Sequence, residues 1–171
     1  AILGEEGDGL NVAQHFVHEN RIRQAASSLG AADYCLRESV QYARERKTFG
    51  KPLATNQAIQ WPLVEIATQI EMLRLLIRKT AHEMDQMPKK DVALYLSDKV
   101  SMCNYWANRL VREAADIAMQ VHGGIGYSRH KPFEHIYRHH RRYRITEGSE
   151  EIQKRRIASH LFGFVKAPPR K

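Results

Sequence analysis

Apolar residues recur along this chain at steps of three and four in three long runs, which is the spacing of one buried helix face. Ile22, Ala25, Leu29, Ala32, Leu36, Val40 and Ala43 make the first stripe and predict a helix over about 21–46. Its alanines let a neighbouring helix come close. Lys47-Thr48-Phe49-Gly50-Lys51-Pro52 then breaks the period with Gly and Pro. Ile59, Leu63, Ile66, Ile70, Leu73, Ile77, Ala81 and Met84 predict a second helix over about 55–85. Pro62 falls in its first two turns, where a missing N–H costs least. Met87-Pro88 ends it. Ala93, Leu96, Val100, Cys103, Ala107, Leu110, Ala114, Ile117 and Val121 predict a third over about 89–122.

Shorter helices are expected over about 10–19, over 132–141 with Pro132 at the first position, and over 149–162. Gly123 should cap the third long helix in a left-handed conformation. No alternating strand pattern is present. The expectation is an all-α protein: an up-down four-helix bundle with extra short helices, spanning 10–165 and followed by a disordered tail over 166–171.

Composition narrows the function more than the fold. A chain of 171 residues that is 43% apolar can build one domain with a substantial core. The most apolar stretch, 63–77, carries Glu65, Glu71 and Arg74, so no membrane span is expected. The first residue is not Met and no signal-peptide pattern opens the chain, which suggests a piece of something longer. Cys35 and Cys103 fall in or beside apolar stripes. Buried free thiols fit a reducing compartment: the cytoplasm, or the mitochondrial matrix or peroxisome of a eukaryote. The net charge of +8 points to anionic partners, either nucleic acid or the phosphates of a nucleotide cofactor.

Four stretches carry candidate chemistry. Gly123-Gly124-Ile125-Gly126 looks like a phosphate loop but follows a helix instead of a strand, so the dinucleotide-fold reading is rejected. His135 and His139 stand four apart on a helix, yet no third ligand is evident and no metal is expected. The run Arg138-His139-His140-Arg141-Arg142-Tyr143-Arg144 is one short basic cluster with a single tyrosine, unlike a nucleic-acid face with stacking aromatics. Glu147 precedes Gly148 and the N-cap candidate Ser149, with Glu150 and Glu151 in the first helical turn where the dipole favours them. A carboxylate on a loop just before a helix is well placed to act as a base.

Arg46-Lys47-Thr48-Phe49-Gly50, Gln57, Gln120-Val121-His122-Gly123-Gly124-Ile125-Gly126-Tyr127 and Glu147-Gly148-Ser149-Glu150-Glu151-Ile152-Gln153, taken in this order and spacing, resemble the C-terminal domain of the flavin-dependent acyl-CoA dehydrogenases. The resemblance covers essentially the whole chain. It implies that residues 1–9 are the exit from an upstream β-domain. It also implies an FAD cofactor, an acyl-CoA substrate, a homodimer or homotetramer, and an electron-accepting partner.

By that resemblance, Arg46 binds the FAD pyrophosphate of a neighbouring subunit, and Phe49 and Gln57 line that flavin. Gln120, Gly123 and Gly124 meet the cofactor's adenosine end, while Ser149 and Glu151 lie near the cofactor. Arg21 and Gly148 belong to the substrate side. Glu147 removes the α-proton of the thioester while the β-hydrogen leaves as hydride. Such a base needs a desolvated carboxylate, and charge developing on the thioester oxygen needs preorganised donors, among them the base's own backbone N–H. Some members carry the base on the first long helix instead; that position is Asn20 here, and an amide cannot accept the proton. Ser149 stands where threonine is usual, Glu151 where glutamine is common, and His139 where an aspartate commonly follows the arginine matching Arg138.

Three rival readings remain. An acyl-CoA oxidase shares the half-reaction and passes electrons to oxygen. A non-catalytic helical oligomerisation module is the second, and a nucleic-acid binder the third.

Overall fold

The computed structural model describes residues 3–165, so the tail expected over 166–171 lies outside the described residues. Helix α1 (Gly9–Glu45) is one uninterrupted helix of 37 residues. The expected division near residue 20 is absent. The polar stretch His18-Glu19-Asn20-Arg21 had no apolar period to read, yet His18 and Arg21 are buried and continue the stripe in polar form.

A two-stranded antiparallel hairpin follows, β1 (Lys47–Thr48) with β2 (Lys51–Pro52), where no strand was expected. Two-residue strands are too short to show alternation. Phe49 and Gly50 form the turn at φ +50° and +81°, the left-handed pair that a tight hairpin demands. Helix α2 (Gln57–Asp85) contains Pro62 without interruption, as its early position allows.

The third long helix is two. Helices α3 (Lys89–Tyr95) and α4 (Ser97–His122) meet at Leu96, whose backbone leaves the helical region at φ −126°, ψ 0°. Leu96 is buried there beside Val92 and Val100. The apolar period runs straight through this break, which is why the sequence does not reveal it. Gly123 has φ +62° with ψ −139°, not the left-handed helical cap expected of it, and the short helix α5 (Gly124–Tyr127) begins at once. Helices α6 (Phe133–Arg141) and α7 (Glu150–Leu161) complete the fold.

Contacts between helices fix their directions. Arg21 meets Asn104, Ser28 meets Asn108, and Tyr42 stacks on His122 at 4.3 Å, so α1 and α4 run parallel. On α4, His140 of α6 lies by Asn108 through Ser28 and Phe133 lies by His122, so α6 runs the other way. Glu150 meets Arg109 and His160 meets Ser97, so α7 does too. The bundle is thus all-α and up-down, with its fourth column split into α6 and α7.

Ala25, Ala32 and Cys35 on α1, Ile66, Ile70 and Leu73 on α2, Leu110 and Val111 on α4, and Phe133 on α6 form the main core. Each large aliphatic side chain buried here contributes roughly 1.5–3 kcal/mol. Small residues on α1 let α4 approach closely. Val40 departs from the expected stripe: it is exposed, on a groove between α1 and α2. Cys35 and Cys103 are buried and unbridged, and burial pushes their thiols up to about 12 and about 11. No helix among the described residues is long and apolar enough to cross a membrane.

Candidate active site

The break in the fourth column is where Glu147 stands. Helix α6 tightens into a 3-10 turn over Arg142–Arg144, and α7 does not begin until Glu150. Between them Glu147 has φ +58° and Gly148 has φ +94°. Glycine is required at 148 on two counts. Its φ is left-handed, and a Cβ there would come within 3.0 Å of the Arg21 guanidinium and 3.3 Å of Ile152.

Three donors hold the peptide carbonyl of Glu147. Arg21 donates from Nε at 2.9 Å and from Nη2 at 2.6 Å, and Gln153 Nε2 donates at 3.2 Å. Gln153 also donates to the carbonyl of Gly148 at 3.1 Å. Burial, with help from Arg156, pushes Arg21 down to about 10, so it remains a cation at neutral pH. The half-buried Glu147 carboxylate receives one hydrogen bond, from Asn20 Nδ2 to Oε1 at 2.6 Å. Its other oxygen, and the N–H of Glu147, have no hydrogen-bond partner among the described residues.

A buried polar chain supports this loop from behind. Ser28 Oγ lies 3.0 Å from His140 Nδ1 and donates to Asn108 Oδ1 at 2.7 Å. Asn108 Nδ2 donates to the Tyr143 carbonyl at 3.1 Å and to Asn104 Oδ1 at 3.3 Å. Asn104 Nδ2 in turn donates to the Arg21 carbonyl and to Gln24, each at 3.1 Å. Burial, together with His139, Arg142 and His135, pushes His140 down to about 4, so the ring is neutral. Given the Ser28 hydroxyl donates onward, a proton on Nδ1 completes the chain.

Glu150 anchors the far side. Burial alone would raise its carboxyl, but Arg109, Lys154 and Arg144 outweigh burial and hold it down to about 2. Arg109 and Lys154 pair with Oε1 and Arg144 with Oε2 at 2.7 Å. Ser149 occupies the N-cap position as expected, but its hydroxyl makes no cap bond to the helix. Glu151 is exposed, and its own backbone N–H and then the Ser149 hydroxyl lower its carboxyl.

The second set of expected site residues collects at the opposite end of the molecule. Arg46 closes α1, Phe49 tips the hairpin and Gln57 opens α2. Because α1 and α4 are parallel, Gln120, Gly123 and Gly124 arrive at that same end. All six are exposed, Phe49 completely. The Arg46 side chain makes no ion pair or hydrogen bond among the described residues. Arg46 lies 26 positions beyond Asn20 on α1, about 39 Å at 1.5 Å per residue. Beside this end, a groove of about 950 Å³ runs between α1 and α2 past Val40, Ile59, Leu63 and Val64.

Other candidates look different in three dimensions. The His135 and His139 rings are 5.7 Å apart, and no group of three or more metal-ligating side chains exists among the described residues. The basic run is partly committed: Arg144 pairs with Glu150, and Arg142 packs on His139 and Tyr143. No sequence motif points to Ser28, Asn104 or Asn108, and His140 reads there only as part of the basic run. Asn104 and Asn108 stand four apart beside the stripe members Cys103 and Ala107, and polar residues in step with an apolar stripe are the signal that identifies them.

The family description "Acyl-CoA dehydrogenase, C-terminal domain" matches residues 7–162. The chain is 37% identical over 160 residues to the 3-(aryl)acrylate reductase of Clostridium sporogenes, covering 94% of this chain and 41% of that protein. It is 35% identical over 162 residues to an acyl-CoA dehydrogenase of Bacillus subtilis, covering 95% of this chain and 41% of that one. The solved structure of glutaryl-coenzyme A dehydrogenase with glutaryl-CoA superposes with a TM-score of 0.85 at 34% identity, over 99% of this chain and 42% of the other. The chain therefore spans about two fifths of the length of these relatives.

Proposed function

The chain belongs to the acyl-CoA dehydrogenase family as its C-terminal helical domain, and on that premise we propose that Glu147 is the base of an acyl-CoA α,β-dehydrogenation. The observation that carries this reading is the state of Glu147 itself. Its backbone is tied down by Arg21 and Gln153, while one carboxylate oxygen and its N–H are left uncommitted. A base needs an oxygen free to take a proton within a fixed frame. The adjacent N–H suits the thioester oxygen as charge grows on it.

FAD fits the other end. A cation, two amides, an unpacked aromatic ring and open glycine backbone lie together at Arg46, Gln57, Gln120, Phe49 and Gly123–Gly124. That donor set suits a pyrophosphate and a flat heterocycle. When bound, FAD supplies the acceptor for the β-hydrogen, taken as hydride. With about 39 Å of helix between Arg46 and Asn20, and Asn20 in contact with Glu147, Arg46 and Glu147 of one chain serve different copies of the cofactor. A homo-oligomer follows from this reading, and reoxidation requires an electron-accepting partner. On the substrate side Gly148 leaves room for Arg21 to close on the Glu147 loop. Arg21 acts through the Glu147 carbonyl.

The Clostridium sporogenes relative named as a reductase favours one further reading: the same residues run backwards, with Glu147 delivering a proton to the α-carbon of an enoyl thioester. The test is common to both directions. In the full-length enzyme, Glu147→Gln should retain flavin but slow its anaerobic bleaching by an acyl-CoA by ~10²–10⁴-fold. Bleaching at the wild-type rate with a good substrate would remove Glu147 from the chemistry. Peroxide release under air separates the oxidase alternative.

A further inference from the structure

We propose that Asn20 is a positioning residue for Glu147: its amide fixes the carboxylate by donating to Oε1 and leaves Oε2 to take the proton. This rests on the reading of Glu147 as the base. Asn20 and Glu147 are 127 positions apart in sequence, yet the amide nitrogen lies 2.6 Å from Oε1, a short N–H···O hydrogen bond. The contact joins the longest helix among the described residues, α1, to a loop in left-handed backbone.

Backbone and side chain of Glu147 are held from neighbouring positions. Arg21, the next residue on α1, takes the carbonyl, and Asn20 takes the carboxylate. One turn of helix therefore sets both the peptide and the rotamer. A glutamate free to rotate about three χ angles would lose that definition, and misplacement of about 1 Å can cost ~10²-fold in rate.

Asparagine suits this role better than its alternatives. Its amide donates without carrying charge, so it orients the carboxylate without the pull of a full cation. Replacing it with a side chain that cannot donate frees the carboxylate to rotate, while the hold of Arg21 and Gln153 on the Glu147 carbonyl is untouched.

The other charged and titratable groups around the pair stay in place in these variants. They are His18, Arg21 and the Glu19–Lys89 pair by α1, Arg109 on α4, and Arg144, Glu150, Lys154 and Arg156 around the loop and α7.

The experiment uses the full-length, flavin-loaded enzyme and follows anaerobic flavin reduction by an acyl-CoA for wild type, Asn20→Ala and Asn20→Leu. Asn20→Ala should lower kcat about tenfold with little change in KM. Asn20→Leu keeps the side-chain volume and the helix face without a donor, and should fall by a similar factor. The proposal is overturned if Asn20→Leu reduces its flavin at the wild-type rate, or if the loss in Asn20→Ala lies wholly in KM. Wild-type bleaching in Glu147→Gln, measured alongside, identifies failure of the underlying reading instead.

Discussion

Glu147 and Phe49 are both non-glycine residues held at positive φ, one towards each end of α1, and among the described residues no others are. Such backbone costs on the order of 1–3 kcal/mol and persists only where its surroundings impose it. Around Glu147 the surroundings are visible: Arg21, Gln153, Asn20 and the Asn104–Asn108–Ser28 chain behind them. Around Phe49 there is a two-residue ladder and an aromatic ring standing in water. One end is completed by its own chain. At the other, a tight turn accounts for the backbone but nothing in the chain covers the ring it presents, which is what a surface shaped for a partner looks like.

This contrast can be broken first by acid. His18 and His140 belong to the supported end, and burial pushes each from the ordinary 6.5 down to about 4. Because their folded values lie below the unfolded value, their neutral burial is fully tolerated above pH 6.5. Stability is then lost as pH falls from 6.5 to 4, where the unfolded chain binds protons that the fold refuses. Each can remove up to ~3 kcal/mol over that window. Urea unfolding at pH 7.5 and 4.5 should show the loss, and His140→Gln should reduce it by about half.

A smaller effect comes from the polar chain. Asn108→Leu leaves the Ser28 hydroxyl, the Tyr143 carbonyl and Asn104 Oδ1 without their partner and should cost about 2–4 kcal/mol in thermal unfolding. Loss below 1 kcal/mol would mean that water replaces the amide readily and that the chain is not what holds the loop.

The smallest stability effect belongs to the exposed end. Phe49→Ser should change folding stability by no more than about 0.5 kcal/mol. In the full-length protein it should nevertheless weaken FAD retention ~10–100-fold, the value of burying one phenylalanine against a ligand. A large fall in melting temperature instead would show that the hairpin supports its own fold.

The same contrast explains what could be read in advance. Stripes on α2 and α4 were legible because Ile66, Ile70, Leu73, Leu110 and Ala114 do nothing but pack. The end of α1 that carries His18, Asn20 and Arg21 reads as a break because its inward residues are polar, Asn20 and Arg21 being bonded to Glu147, so they carry no hydrophobic period. The kink at Leu96 stayed hidden because an apolar residue fills both an unbroken stripe and a corner. Glu147 itself is legible in the order of short motifs, but the link of Asn108 to His140 through Ser28 is not, since its two bonds span 80 and 112 positions of sequence.

The unbroken course of α1 has a consequence for how this chain can change length. Asn20, Arg21 and Arg46 are mounted on one rigid rod. Deleting a single residue between them shortens the rod by only ~1.5 Å but turns one end about 100° against the other. Arg46 would then point away from the face on which Gln120 and Gly123 arrive. Insertions and deletions should therefore be tolerated in the turn before α3 or in the 128–132 connection, and rejected anywhere between positions 20 and 46. A deletion scan with flavin retention as its readout would draw that boundary residue by residue.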